Sequence, residues 1–246
     1  MAFPLYLAMT ASEFEDTAVL PDSPAWMACH FSCYGTGLSN FPSRLPKGAM
    51  LILNDRTPAQ HNDPVLIARQ LLQAVEQWAL SCVLLDFQRP GSQEAAAIAE
   101  AIVRALPCPV GVTESYAGAL TCPVFLSPPP LHCPLAAHLA PWKGREVWLE
   151  AALEQVQCTV TAEESHFTPV QAQEPKEPNF EEPTLHCRYH LEIAPQQAVF
   201  TLYRTPETLS ALLREAETLG VTKAVGLYQE LYPHWAKISA GEQLPG

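Results

Sequence analysis

The chain has 246 residues, 48% of them hydrophobic, with 14 Lys and Arg against 26 Asp and Glu, a formal net charge of −12. That balance excludes the basic face a nucleic-acid binder needs and leaves little attraction for an anionic membrane, so neither partner is expected. The length suits one large domain, and a single α/β barrel takes about 250 residues.

The N-terminal stretch "MAFPLYLAMTASEFED" has no basic leader, and its short apolar run gives way to acids. It reads as a first strand and not as a signal peptide. No apolar run approaches the roughly 18 residues of a membrane span. Eight cysteines are present, but no pair has CxxC spacing and none has histidines at zinc-finger spacing. Most sit in strand-like runs, which points to reduced, buried thiols and a cytoplasmic protein.

Short apolar strands then alternate with helical patterns. "PLYLAMT" (Pro4 to Thr10), "WMACHFSCYG" (Trp26 to Gly35) and "AMLILND" (Ala49 to Asp55) read as strands one to three. A helix follows, with Val65, Ile67, Ala68, Leu71, Leu72, Val75 and Trp78 at helical period behind the start signal Asp63-Pro64. "CVLLDFQ" is the fourth strand, and "SQEAAAIAEAIVRAL" the next helix, with Ser92 as N-cap. "CPVGVTES" and "CPVFLSPPP" are strands five and six. "AVFTLYRT" reads as the seventh, followed by a helix with Thr205 as N-cap, Pro206 at its first position and Gly220 beyond its last turn. "KAVGLYQEL" is the eighth.

Near-continuous apolar strands imply a parallel sheet covered by helices. Eight such units predict the fold class α/β, a (β/α)8 TIM-type barrel. The competitor is a doubly wound open sheet, but no GxGxxG or Walker pattern follows any strand. No cofactor signature is present.

Between strands six and seven, "VWLEAAL", "CTVTAEE", "HFTPV" and "HCRYHLEI" read as antiparallel strands, and "QAQEPKEPNFEEP" as an exposed loop. The expected plan is barrel strands one to six in 1–144, a small β insertion in 145–197, and strands seven and eight in 198–246, one domain overall. The alternative makes "EVWLEAAL" a barrel strand, with one of the first six miscounted.

In a barrel of this kind, function sits at the C-terminal ends of the strands. There lie His30, Ser32 and Tyr34; Asn54, Asp55 and Arg56; Asp86, Phe87, Gln88 and Arg89; Glu114; Ser127; Tyr203 and Arg204; and Tyr228, Gln229 and Glu230. Carboxylates, tyrosines and amides in a barrel mouth suit a polyhydroxylated ligand such as a sugar. Strands always give way to polar loops, however, so only the acids on strands three, four, five and eight exceed that background.

The most informative stretch is "VLLDFQRPG", Val83 to Gly91. Alternation places Leu84, Asp86 and Gln88 on one face. The segment resembles the fourth-strand motif of family 18 glycoside hydrolases, the chitinase-like barrels, D-x-x-D-x-D-x-E running on as D-W-E-Y-P-G. The pattern falls on Ser81, Leu84, Asp86 and Gln88, with Phe87 as the aromatic and Arg89-Pro90-Gly91 after it. The resemblance implies that Asp86 matches the acid that orients the substrate's N-acetyl group. Gln88 matches the proton-donating Glu, and an amide is no general acid. The first two acids of the motif are missing. So are the Gly-Gly signature of strand three, in "LILNDR", and the tyrosine-acid pair of strand six, in "FLSPPP".

The expectation is a chitinase-like barrel that binds a small N-acetylated glycan or cell-wall fragment with little or no hydrolysis. Asp86, Gln88, Glu114 and Glu230 are the catalytic-position candidates. Asp55, Phe87, Tyr203, Tyr228 and Gln229 are the ligand-binding candidates. The competing readings are a hydrolase with relocated acids (Glu114, Glu230, Asp86), a metal-dependent hydrolase on His30, Asp55 and Asp86, and a scaffold whose insertion binds a protein. No His-x-His pair supports a metal, and none is expected.

Overall fold

A computed structural model describes residues 3–33, 36–59, 61–89, 91–118, 120–170 and 177–239. Strand β1 (Leu5–Met9) leads through helix α1 (Ala11–Asp16) to β2 (Pro24–Phe31), on whose edge the short β3 (Leu38–Ser39) pairs back. There follow β4 (Met50–Asn54), α2 (Pro64–Trp78), β5 (Cys82–Asp86), α3 (Gln93–Ala105), β6 (Val110–Thr113) and α4 (Glu114–Ala117). Next come β7 (Val124–Leu126), α5 (Leu135–Leu139) and β8 (Val147–Glu150). An antiparallel sheet is then built from β9 (Gln155–Thr161), β10 (Ser165–Pro169), β11 (Asn179–Glu182), β12 (Cys187–Ala194) and β13 (Gln197–Tyr203). The chain returns through α6 (Pro206–Thr218) to β14 (Val221–Leu227), α7 (Tyr228–Leu231) and α8 (Trp235–Ser239).

β1 pairs in parallel with both β2 and β14, so the strand order β1-β14-β8-β7-β6-β5-β4-β2 closes into an eight-stranded parallel barrel. The α/β barrel expected from the strand count is the fold. Its interior is packed by Tyr6, Met50, Ile52, Leu84, Phe125 and Trp148, among others. Trp148 needs the absent side chain of Gly111, because a Cβ there would overlap the indole ring.

The helices close the outside for the reasons their sequences carry. Asp63 accepts a hydrogen bond from the Val65 amide at 2.9 Å, and Pro64 sets the first turn of α2. Ile67, Ala68, Leu71 and Val75 are buried on one stripe, whereas Val65 falls outside it and is exposed. Ser92 caps α3, and Thr205 caps α6 with Pro206 behind it. None of the eight cysteines is paired, and Cys29, Cys82, Cys158 and Cys187 are buried.

The seventh barrel strand differs from the expectation. "VWLE" forms it, pairing with β7 through Phe125 and Trp148 and with β14 through Val225 and Glu150. "AVFTLY" lies instead in β13, the central strand of the antiparallel sheet, between β9 and β12. The first six strands stand as read. The insertion therefore follows the seventh strand, its strands spanning 155–203 rather than 145–197, and the barrel resumes at α6 rather than at residue 198. The cause is physical. A central strand flanked on both sides is apolar over much of its length, and with a capped helix after it β13 looks like a barrel βα unit.

Candidate functional site

The C-terminal ends of the barrel strands enclose a cavity of about 550 Å³. Its floor is apolar, from Ala8, Ile52, Leu84, Phe125 and Val225. Its wall is polar and charged, from His30, Asn54, Asp55, Arg56, Asp86, Gln88, Arg89 and Glu150. An apolar base with a few convergent polar groups is the ordinary character of a small-molecule site.

Strand alternation sets the fourth-strand residues. Leu84, Asp86 and Gln88 all face the cavity, and the Gln88 Nε2 donates a hydrogen bond to Asp86 Oδ1. Burial raises the Asp86 carboxyl above its ordinary range, the Gln88 hydrogen bond works against that, and the nearby Asp55 adds to it. The intervening Phe87 points the other way. It is 1% exposed and packs between Phe31 and Tyr116 in the core under the helices, so it is a packing residue and not a ligand contact.

Asp55 is buried and fixes the loop after β5. Its two carboxylate oxygens accept from the backbone amides of Gln88 and Arg89, each at 2.9 Å. Thr113 Oγ1 donates to the Phe87 carbonyl at 2.9 Å, and the Tyr116 hydroxyl donates to the Arg89 carbonyl. The Arg89 guanidinium donates to the Arg56 carbonyl at 2.7 Å, joining the ends of β4 and β5. Asp55 thus presents Gln88 rather than offering a free carboxylate.

The remaining candidates are not brought together with these. Glu114 opens α4, is exposed and does not line the cavity. Glu230 on α7 accepts from the Leu153 amide and also lies off the cavity wall. Tyr228 stacks on Tyr232 with ring centroids 4.5 Å apart, and Gln229 is exposed on the same short helix. Tyr203 belongs to the insertion, is buried, and its hydroxyl has no hydrogen-bond partner among the described residues. Tyr34 and Pro90 lie outside the described residues. For the metal reading, His30 Nδ1 faces the Ala28 carbonyl at 3.1 Å, and no group of His, Cys, Asp or Glu among the described residues is placed to hold an ion.

One cavity acid escaped the sequence reading. Glu150 ends β8, two residues beyond Trp148 and on the same inward face. Burial, followed by the charges of Asp86, Glu154 and Glu230, pushes its carboxyl up to about 7. The signal was present in "EVWLEAAL", a nearly unbroken apolar run with one acid at its end. It was missed because that run was placed in the insertion.

Comparison with known proteins fixes the class of fold. The barrel is similar to a family 18 N-acetylglucosaminidase from Paenibacillus barengoltzii, with a TM-score of 0.59 and 10% identity, over 91% of this chain and 94% of that one. It is similar to a class V chitinase from Nicotiana tobaccum, solved as a Glu-to-Gln mutant in complex with NAG4, with a TM-score of 0.61 and 9% identity over 96% and 97%. A chitinase-like agglutinin from Robinia pseudoacacia gives a TM-score of 0.60 and 11% identity over 95% and 97%. The fold is therefore that of the chitinases and chitinase-like proteins. No family model and no curated protein sequence matches the chain. No helix among the described residues is long and apolar enough to cross a membrane.

Proposed function

We propose that the barrel mouth binds a small N-acetylated glycan or cell-wall fragment, without the hydrolytic route that a fourth-strand Glu provides. The observation that carries this reading is the Gln88–Asp86 pair inside the cavity. An amide at the proton-donor position leaves a hydrogen-bonding group but no transferable proton. It also holds the neighbouring carboxylate without the like-charge repulsion that a Glu would bring. Two of the similar structures accord with ligand binding in this fold: a chitinase-like agglutinin, and a Glu-to-Gln chitinase mutant in complex with NAG4. The ligand would be a compact soluble one met in the cytoplasm, in keeping with eight unpaired cysteines.

Titration calorimetry with N-acetylglucosamine tetramer and with muropeptides tests the reading. Saturable binding in the wild type, lost in Asp86→Ala while its melting curve stays cooperative, is the expected result. Absence of binding by the wild type to both ligand classes overturns it.

A further inference from the structure

Glu150 is the cavity acid with no assigned role. Asp55 is occupied by two backbone amides, and Asp86 by the Gln88 side chain. The Glu150 carboxyl accepts no hydrogen bond from the described residues. Strands β7 and β6 lie between β8 and β5, so Glu150 and Asp86 enter the cavity from separate walls. An acid and a base on separate walls, with a water between them, is the arrangement an inverting glycosidase uses.

We propose that Glu150 is the proton donor of a slow glycosidase activity in this cavity, with Asp86 as the base. The inference rests on the glycan-binding reading and adds a reaction to it. Glu150 gives its carboxyl proton to the glycosidic oxygen. The C1–O bond breaks, and its electron pair leaves with that oxygen as an alcohol. A water adds to C1 from the opposite side, and its surplus proton goes to the Asp86 carboxylate. Exchange with solvent returns Glu150 to the acid and Asp86 to the carboxylate. The products are two shorter sugars, with the configuration at C1 inverted.

The surroundings favour these roles. Burial, followed by the charges of Asp86, Glu154 and Glu230, keeps Glu150 protonated up to about pH 7. Burial raises the Asp86 carboxyl as well, and the Gln88 hydrogen bond favours its ionised form against that. Arg56, Arg89 and His30 line the cavity from the β2, β4 and β5 ends, and Arg204 pairs with Glu154 at 3.1 Å. On β14 Lys223 sits two residues before Val225, the strand partner of Glu150, with its ammonium 3.7 Å from Glu146 and 4.7 Å from the Trp148 ring centroid.

The test incubates wild type, Glu150→Gln and Glu114→Gln with N-acetylglucosamine tetramer, follows the products by NMR, and measures binding separately by calorimetry. The wild type should release shorter oligomers with inverted anomeric configuration, at a rate that falls about tenfold per pH unit above pH 7. Glu150→Gln should bind the tetramer as the wild type does but turn it over at least about 100-fold more slowly. Glu114→Gln, off the cavity, should match the wild type. Binding without any turnover in the wild type, or equal rates in wild type and Glu150→Gln, overturns the proposal and leaves the glycan site intact. Absence of wild-type binding removes both.

Discussion

The barrel and the inserted sheet are both made of strands rich in apolar residues, yet they bury them differently. Barrel strands are covered on both sides, by the packed interior within and the helices without, so Leu7, Leu51, Leu85 and Trp148 are all 0% exposed. The insertion has one mainly apolar face, through Val156, Cys158, Tyr189, Leu191, Phe200 and Leu202, and no helical layer among the described residues shields it along its length. There Ile193 is 80% exposed and Phe180 47%, and every residue of β10 is exposed. The insertion is anchored at its stem. Arg204, 4% exposed, donates to Glu154 at 3.1 Å and to the Pro129 carbonyl at 3.0 Å, while Cys187 is fully buried. Shape in the barrel is held by packing, and in the insertion by its ladder and a charged root.

That contrast can be broken most forcefully in the barrel. Trp148→Ala should cost about 3–5 kcal/mol in urea denaturation, whereas Phe180→Ala in the insertion should cost under about 1 kcal/mol. Equal losses at the two positions would refute the contrast. The next largest effect belongs to the cavity. A carboxyl moved from its ordinary 4.5 to about 7 penalises the folded state once it ionises. The penalty is absent below about pH 4.5, where Glu150 is protonated folded and unfolded alike, and complete above about pH 7. Glu150→Gln should therefore be more stable than wild type by up to roughly 3 kcal/mol at pH 8 and no more stable at pH 4. A difference that does not change with pH would contradict the assignment. Smaller again is the stem. Glu154→Ala leaves the Arg204 charge buried without its acid and should cost about 1–2 kcal/mol, reduced because Glu154 is partly solvated. Hydrogen exchange should then quicken in β9 to β13 before it does in the barrel. Smallest is Tyr203→Phe, which removes a buried hydroxyl with no partner among the described residues and should be neutral or stabilising by up to about 1 kcal/mol. Glycan binding should be unchanged by it, and a loss of binding would return Tyr203 to the site.

Much of the fold was legible because the barrel is locally honest. The caps at Asp63, Ser92 and Thr205, the stripe of α2 and the first six strands all follow from neighbouring residues. The shared face of Leu84, Asp86 and Gln88 followed from alternation alone. Phe87 did not, since its aromatic ring suits a sugar face as well as a core, and only its neighbours Phe31 and Tyr116 decide between them. Asp55 looked like a free acid because its partners, the Gln88 and Arg89 amides, lie on another strand's loop.

By itself the sequence determined the barrel class, the starts of α2, α3 and α6, and the inward pair Asp86 and Gln88. These rest on periodicity and capping, which act over a few residues. Only the tertiary structure decided which apolar run became the seventh strand, and with it that Glu150 faces Asp86 while Tyr203 does not reach the mouth. β8 and β13 are both plausible barrel strands in isolation. The choice between them lies in pairing: β8 fits between β7 and β14, with Trp148 filling the space left by Gly111 of β6, and β13 finds its neighbours in β9 and β12.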